Sequence, residues 1–208
     1  MSSFVRRRSV LRLTIGVAAV ALTGSGLAAP GKALAEQDPA AQLVQNAANQ
    51  AIEVAKGNAG PAREAGIRRV LESYFDLAYM GRSTLGNYWD KTTPEQRQRF
   101  LKASASVEAR SYAERFGSYR GQTITVGRIT PRGSGASIVD SKLTQTSGDP
   151  VTVQWEVRNE GRGLRIVDVR TEGVSMTMTR RADFVSYIRN HGGSVEALID
   201  ELEARAKR

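Results

Sequence analysis

Apolar side chains recur at helical spacing from Pro39 to about residue 119, and after Gly121 the period drops to two. Residues Pro39 to Lys56 set Leu43, Ala47, Ala51 and Val54 on one face of a helix that closes near Gly57. From Pro61 to Phe75 the stripe is stronger, with Ile67, Val70, Leu71, Tyr74 and Phe75 at i, i+3, i+4, i+7 and i+8. A short helix or turn is expected over Leu77 to Leu85, stopping at Gly86. Thr93-Pro94-Glu95-Gln96 is a capping box with proline at the first helical position. The helix it starts has an apolar face through Leu101, Ala105, Ala109, Tyr112 and Phe116, reaching Tyr119, and Gly117 and Gly121 break it.

Beyond Gly121 the chain predicts strands over Thr123 to Thr130, Ala136 to Thr146, Val151 to Arg158 and Gly163 to Thr171. The third alternates cleanly, with Val151, Val153, Trp155 and Val157 on one face and Thr152, Gln154, Glu156 and Arg158 on the other. Short Gly- and Pro-containing connections imply an antiparallel meander. The chain then returns to helix, over Ala182 to Asn190 and Ser194 to Lys207, with Val195, Leu198, Ile199 and Leu202 facing inward. Several helices, a four-stranded antiparallel meander sheet and two C-terminal helices make an α+β fold, with helices on one sheet face.

The N-terminal 35 residues read differently. Arg6, Arg7, Arg8 and Arg12 precede an apolar stretch from Leu13 to Ala29, and Ala33-Leu34-Ala35 offers the small-x-small pattern of a signal cleavage site. Residues 1–35 are therefore expected to be a removed signal peptide and 36–208 a single domain. Arg7-Arg8-Ser9-Val10-Leu11-Arg12 resembles a twin-arginine export motif, with a general secretory signal as the alternative.

Charge changes the picture little once that segment is set aside. The whole chain has 30 basic and 21 acidic residues, net +9. Residues 1–35 hold five basic and no acidic residues, so the remainder has 25 against 21, a mild +4 that does not call for nucleic acid. Zero cysteines exclude disulfides, thiolate metal sites and cysteine nucleophiles, and a single His excludes a multi-histidine metal centre within one chain.

Candidate chemistry is thin. His191 sits in the polar loop Asn190-His191-Gly192-Gly193 and reads as a solvated residue without a positioned partner. Gly173-Val174-Ser175 begins like a nucleophile elbow, but Thr177 replaces the closing glycine, and a turn with Gly173 at positive φ is the expected role. Asp140, Glu156 and Asp168 lie on different strands and offer a carboxylate pair to a cone-shaped pocket, with ion-paired surface groups as the alternative. Neither GxGxxG nor GxxxxGK occurs, and Arg180-Arg181 lacks interleaved aromatics for nucleic-acid binding. No cofactor or metal is expected.

The run Phe75-Asp76-Leu77-Ala78-Tyr79-Met80-Gly81-Arg82-Ser83-Thr84-Leu85-Gly86-Asn87-Tyr88-Trp89, followed by Thr93-Pro94-Glu95-Gln96-Arg97-Gln98-Arg99-Phe100, resembles the MlaC family. Tyr119-Arg120-Gly121, Pro150-Val151-Thr152-Val153, Ile166-Val167-Asp168-Val169, Glu172-Gly173-Val174-Ser175 and Arg181-Ala182-Asp183-Phe184 agree in order across residues 40–203. These are periplasmic phospholipid-binding proteins, also called toluene-tolerance auxiliary components of an ABC transporter. One departure is Leu164, where the family often has Trp, at the expected wall or mouth of the pocket; a hopanoid-associated branch of the family also exists. The resemblance implies a periplasmic shuttle, not an enzyme, and a monomer is expected. It would exchange phospholipid, or a hopanoid-type lipid, between an outer-membrane lipoprotein complex and an inner-membrane MCE-type ABC transporter complex.

Such a carrier needs an apolar cavity between sheet and helices, and the expected lining is Leu77, Met80, Tyr88, Val107, Tyr112, Val139, Val153, Trp155, Val157, Val169 and Met176. Val153→Trp or Tyr112→Trp is then expected to fill it. Arg82, Asp168, Gly173 and Ser175 are expected to fix turns and hydrogen bonds, and Tyr88 and Trp89 to staple the second helical segment to the sheet. Two other readings stand beside the carrier: an adaptor with a filled core that binds proteins only, and a cone-shaped isomerase or dehydratase using a Tyr or carboxylate in an apolar pocket, which would need a carboxylate of raised pKa inside the cavity.

Overall fold

The structure, a computed structural model, describes residues 38–208 except 134, 160 and 162. The expected signal segment lies outside the described residues. Five elements precede the sheet: α1 (Pro39–Gly57), α2 (Gly60–Tyr74), α3 (Leu77–Leu85), a 3-10 turn (Gly86–Lys91) and α4 (Pro94–Phe116). The sheet comprises β1 (Thr123–Arg132), β2 (Ala136–Thr144), β3 (Val151–Asn159), β4 (Leu164–Thr171) and β5 (Val174–Ser175), followed by α5 (Met176–Asn190) and α6 (Val195–Lys207). The five strands pair antiparallel in the order β1-β2-β3-β4-β5, so the fold is α+β.

Local chemistry sets most boundaries. Asp38 caps α1 by accepting from Ala40 N at 2.8 Å. The box at Thr93 closes both ways: Gln96 N donates to Thr93 Oγ1 at 3.2 Å and Thr93 N to Gln96 Oε1 at 3.1 Å. Two features were not expected from the sequence. A fifth, two-residue strand exists because Glu172 (φ 48°) and Gly173 (φ 81°) turn the chain back onto β4. And α5 starts at Met176, not Ala182. Ser175 Oγ accepts from Met178 N at 3.0 Å, and Thr177 N donates to Asp168 Oδ1 at 3.1 Å. The cap and this tie to β4 overcome the alternating Met-Thr-Met-Thr pattern that hid the first turn.

Register separates the two sheet faces. Val139, Trp155 and Val169 stand opposite one another across β2, β3 and β4. This face is covered by α1 through Ala40, Val44 and Ala47. The buried stripe of α1 centres on Val44 and Ala48, while Leu43, Ala51 and Val54 are half-buried at its flank. Gly66 lets α2 approach α1 closely, since a Cβ there would lie 2.6 Å from Val54 Cγ1. The opposite face carries Asp140, Gln154, Glu156 and Arg170, tied by Gln154 Nε2 donating to Asp140 Oδ1 at 2.8 Å and an Arg170–Glu156 pair at 3.5 Å.

Away from the sheet, α4 is the central helix. Its Ala109 and Ala113 pack on Ile67 and Leu71 of α2, and its Phe100 and Ala103 on Phe184, Leu198 and Leu202 of α5 and α6. Tyr88 and Trp89 join this second group and do not staple anything to the sheet. Trp89 is held to α4 instead, its carbonyl accepting from Arg97 Nη2 at 3.0 Å while the Arg97 guanidinium lies 5.0 Å over its ring. Neither the α1–sheet core nor the α4–α5–α6 core fills the space between α3, α4, β4 and α5.

Candidate functional site

That space is a cavity of about 340 Å³. Helical spacing builds its walls: Leu77, Met80, Gly81 and Thr84 from α3, and Leu101, Ser104, Ala105, Glu108, Tyr112 and Arg115 from α4. Leu71 and Phe75 close one end, Val169 comes from β4, and Met176, Thr177, Thr179, Arg180, Asp183 and Phe184 come from α5. Gly81 sets the width, because a Cβ there would fall 2.3 Å from Leu101 Cδ2.

The wall's threonine and serine hydroxyls are spent on backbone. Thr84 Oγ1 donates to Gly81 O at 2.9 Å, Ser104 Oγ to Phe100 O at 2.7 Å and Thr179 Oγ1 to Ser175 O at 2.8 Å. Among the described residues no buried side-chain nitrogen or oxygen lacks a partner. The interior therefore behaves as an apolar surface despite its threonines and serine.

Charge gathers at the open edge. Arg180 Nε meets Glu108 Oε1 at 2.6 Å and Arg180 Nη1 lies 3.6 Å from Asp183 Oδ2. The Arg180 guanidinium sits 6.0 Å over the Phe184 ring, and Arg115 lies 5.7 Å over Tyr112. Burial pushes the Glu108 carboxyl above its ordinary value of 4.5, with Arg180 and then Arg115 opposing the shift. Burial likewise raises the Tyr112 phenol, so its hydroxyl keeps its proton.

Five of the expected wall residues meet here: Leu77, Met80, Tyr112, Val169 and Met176. Six lie elsewhere. Val139, Val153, Trp155 and Val157 are buried in the cluster under α1, where the Trp155 indole donates to Ser141 Oγ at 2.9 Å. Tyr88 and Val107 pack against the α4–α5–α6 core. The reason is geometric: α1 and the sheet fill one another, and only the β4 side of the sheet borders the cavity. Leu164 packs into the α1 cluster too, so its departure from Trp leaves this wall untouched.

The remaining candidates have structural roles. Asp168 is buried at the β4–α5 junction, accepting from Thr177 N and from Arg170 Nε at 3.3 Å, while Asp140 and Glu156 are half-buried on the polar sheet face. These three do not form a carboxylate pair in the cavity. Ser175 is a helix cap, and His191 stacks on Tyr187 at 3.9 Å near the end of α5. The sequence reading names no role for Glu108 and weighs Arg180 only for nucleic-acid binding. Glu108 continues the stripe from Leu101 and Ala105, a readable signal, whereas Arg180 fell in the stretch not recognised as helix. Among the described residues no cluster of His, Asp or Glu is suited to a metal, and no helix is long and apolar enough to cross a membrane.

Comparison with known proteins bears on this geometry. The sequence pattern of the family described as MlaC protein matches residues 43–204. The intermembrane phospholipid transport system binding protein MlaC of Haemophilus influenzae is 25% identical over 184 residues, 84% of this chain and 85% of the relative. Toluene tolerance protein ttg2D of Pseudomonas putida is 25% identical over 135 residues, 64% of this chain and 63% of its own. A phospholipid-binding protein from Ralstonia solanacearum, solved in complex with a phospholipid, has the same fold: its TM-score is 0.68 at 21% identity, covering 80% of this chain and 96% of that one.

Proposed function

The chain belongs to the MlaC protein family, and from that membership we propose that it is a periplasmic carrier which buries phospholipid acyl chains in the cavity between α3, α4, β4 and α5. The observation that carries this reading is the distribution of polarity: a largely apolar lining whose threonine and serine hydroxyls are internally bonded, with the charged Glu108, Arg115, Arg180 and Asp183 reaching solvent. Burying an acyl chain gains about 0.8 kcal/mol per methylene, so sixteen carbons contribute on the order of 12 kcal/mol. Affinity of that size needs no covalent step, metal or cofactor. A volume near 340 Å³ lies at the low end of small-molecule sites.

Residues 1–35 serve in this reading as the export signal. The mature monomer accepts lipid from an outer-membrane lipoprotein complex and exchanges it with an inner-membrane MCE-type ABC transporter complex. The name of the Haemophilus relative, an intermembrane phospholipid transport binding protein, supports that assignment.

Native mass spectrometry of protein purified from a bacterial periplasm, with lipid extraction, tests the reading. A stoichiometric phospholipid is the expected result, and a hopanoid would redirect the ligand class. Protein that carries no lipid and takes none from liposomes overturns the carrier. Ala105→Phe, which adds a ring to the buried α4 wall, is expected to cut bound lipid at least severalfold while circular dichroism stays that of the parent.

A further inference from the structure

We propose that Arg180 is the residue that receives the phosphate of a bound lipid, and that Glu108 is the internal counter-ion which the phosphate displaces. The proposal rests on the carrier reading and deepens it. It specifies a lipid that bears a phosphate, in preference to an uncharged lipid with the same hydrocarbon.

Position comes first. Arg180 lies on α5 between two wall residues a turn away on either side, Met176 and Phe184, at the edge where the cavity meets solvent. A phosphate at this guanidinium leaves the attached acyl carbons directly against the apolar wall. The guanidinium also lies 6.0 Å over the Phe184 ring, a contact that uses none of its donors.

Valence follows. Glu108 engages Arg180 through Nε and one carboxylate oxygen at 2.6 Å. Asp183 at 3.6 Å from Nη1 is beyond hydrogen-bond reach and is itself exposed. Glu108 is therefore the carboxylate that a phosphate matching this planar fork would displace. Arg115, one further cation on the same edge, stands over Tyr112 and keeps the local potential positive when Glu108 yields.

Glu108 suits the role of a displaced partner because it is the more buried carboxylate, with its side chain 28% exposed against 58% for Asp183. Its carboxyl is already pushed toward the neutral form by burial, so taking up a proton as Arg180 turns to phosphate removes the charge that would repel the lipid. A phosphodiester keeps its charge throughout.

The test offers the mature protein mixed octyl glucoside micelles holding equimolar dioleoyl phosphatidylglycerol and dioleoylglycerol, whose acyl chains are identical. Native mass spectrometry reads the ratio of the two bound. The parent is expected to favour the phospholipid roughly tenfold, the scale of one charge-assisted contact at a half-exposed site. Arg180→Gln is expected to bring the ratio close to one, and Arg180→Lys to leave an intermediate value. Glu108→Gln, which removes the competitor, is expected to raise the ratio severalfold, and it decides the matter if Arg180→Gln does not fold. A parent that takes up neither lipid overturns the carrier reading and this assignment with it. A parent that binds phospholipid, with the ratio unmoved by Arg180→Gln and Glu108→Gln, overturns the phosphate assignment and leaves the carrier standing.

Discussion

Glu108 is where residue chemistry reaches stability. Its folded carboxyl sits above 4.5 because burial disfavours the charged form, and Arg180 only partly offsets this. The folded state therefore holds this proton more tightly than the unfolded chain. The contribution to stability is fully present below about pH 4.5 and is lost as pH rises through the raised value. Glu108→Gln removes that slope, so the difference in melting temperature between variant and parent is expected to shift in the variant's favour from about pH 4.5 to pH 7.5. Glu196 and Glu203 behave oppositely: hydrogen bonds from Gln96 and then Arg99 lower Glu196, and Arg99 lowers Glu203. Their support of the α4–α6 contact is lost on acidification, so melting curves are best compared as variant minus parent at each pH.

At the level of elements, the cavity depends on how closely α3 approaches α4. Gly81 permits that approach, and a methyl group there would meet Leu101 Cδ2 at 2.3 Å. The clashing atom is the tip of a flexible side chain that lines the cavity, so it has room to swing inward. Gly81→Ala is accordingly expected to lower stability by about 1–3 kcal/mol, the usual range for overpacking, and to reduce bound lipid by shrinking the space. Urea unfolding followed by lipid extraction checks both parts. Retained lipid at parental stoichiometry would show that Leu101 moves away from the cavity. The start of α5 matters for the same reason, since Ser175 and Asp168 hold the turn that carries Met176 and Thr177 into the wall.

At the scale of the molecule, two parts of the interior differ in their tolerance to bulk. One is the filled core of α1 on the sheet, where Val139 and Val157 are fully buried and Val153 is 6% exposed. The other is the cavity. Val153→Trp, which sequence reasoning offered as a plug, enters the filled compartment and is expected to lower the melting temperature strongly without selectively blocking lipid. Ala105→Phe enters the open compartment and should do the reverse. Thermal unfolding and native mass spectrometry on the pair separate the two; equal behaviour would mean the compartments are not distinct.

Much of this architecture was written locally. The stripes on α2 and α6, the Thr93 capping box, the alternation of β3 and the Gly173 turn depend on neighbours a few residues away, and each was legible along the chain. The run from Phe75 to Phe100 also carried the family resemblance. What the tertiary structure alone decided was the division of apolar residues between cavity wall and filled core. Val153 and Val169 are the same residue type on the same sheet face and both touch the α1 cluster, but only Val169, on β4, also borders the α3–α4–α5 gap. Hydrophobic burial is non-directional, so its pattern in sequence marks what is inside without saying what it faces. The Glu108–Arg180 pair was hidden for a related reason: its partners belong to helices on opposite sides of the sheet in chain order, and only packing brings their charges together.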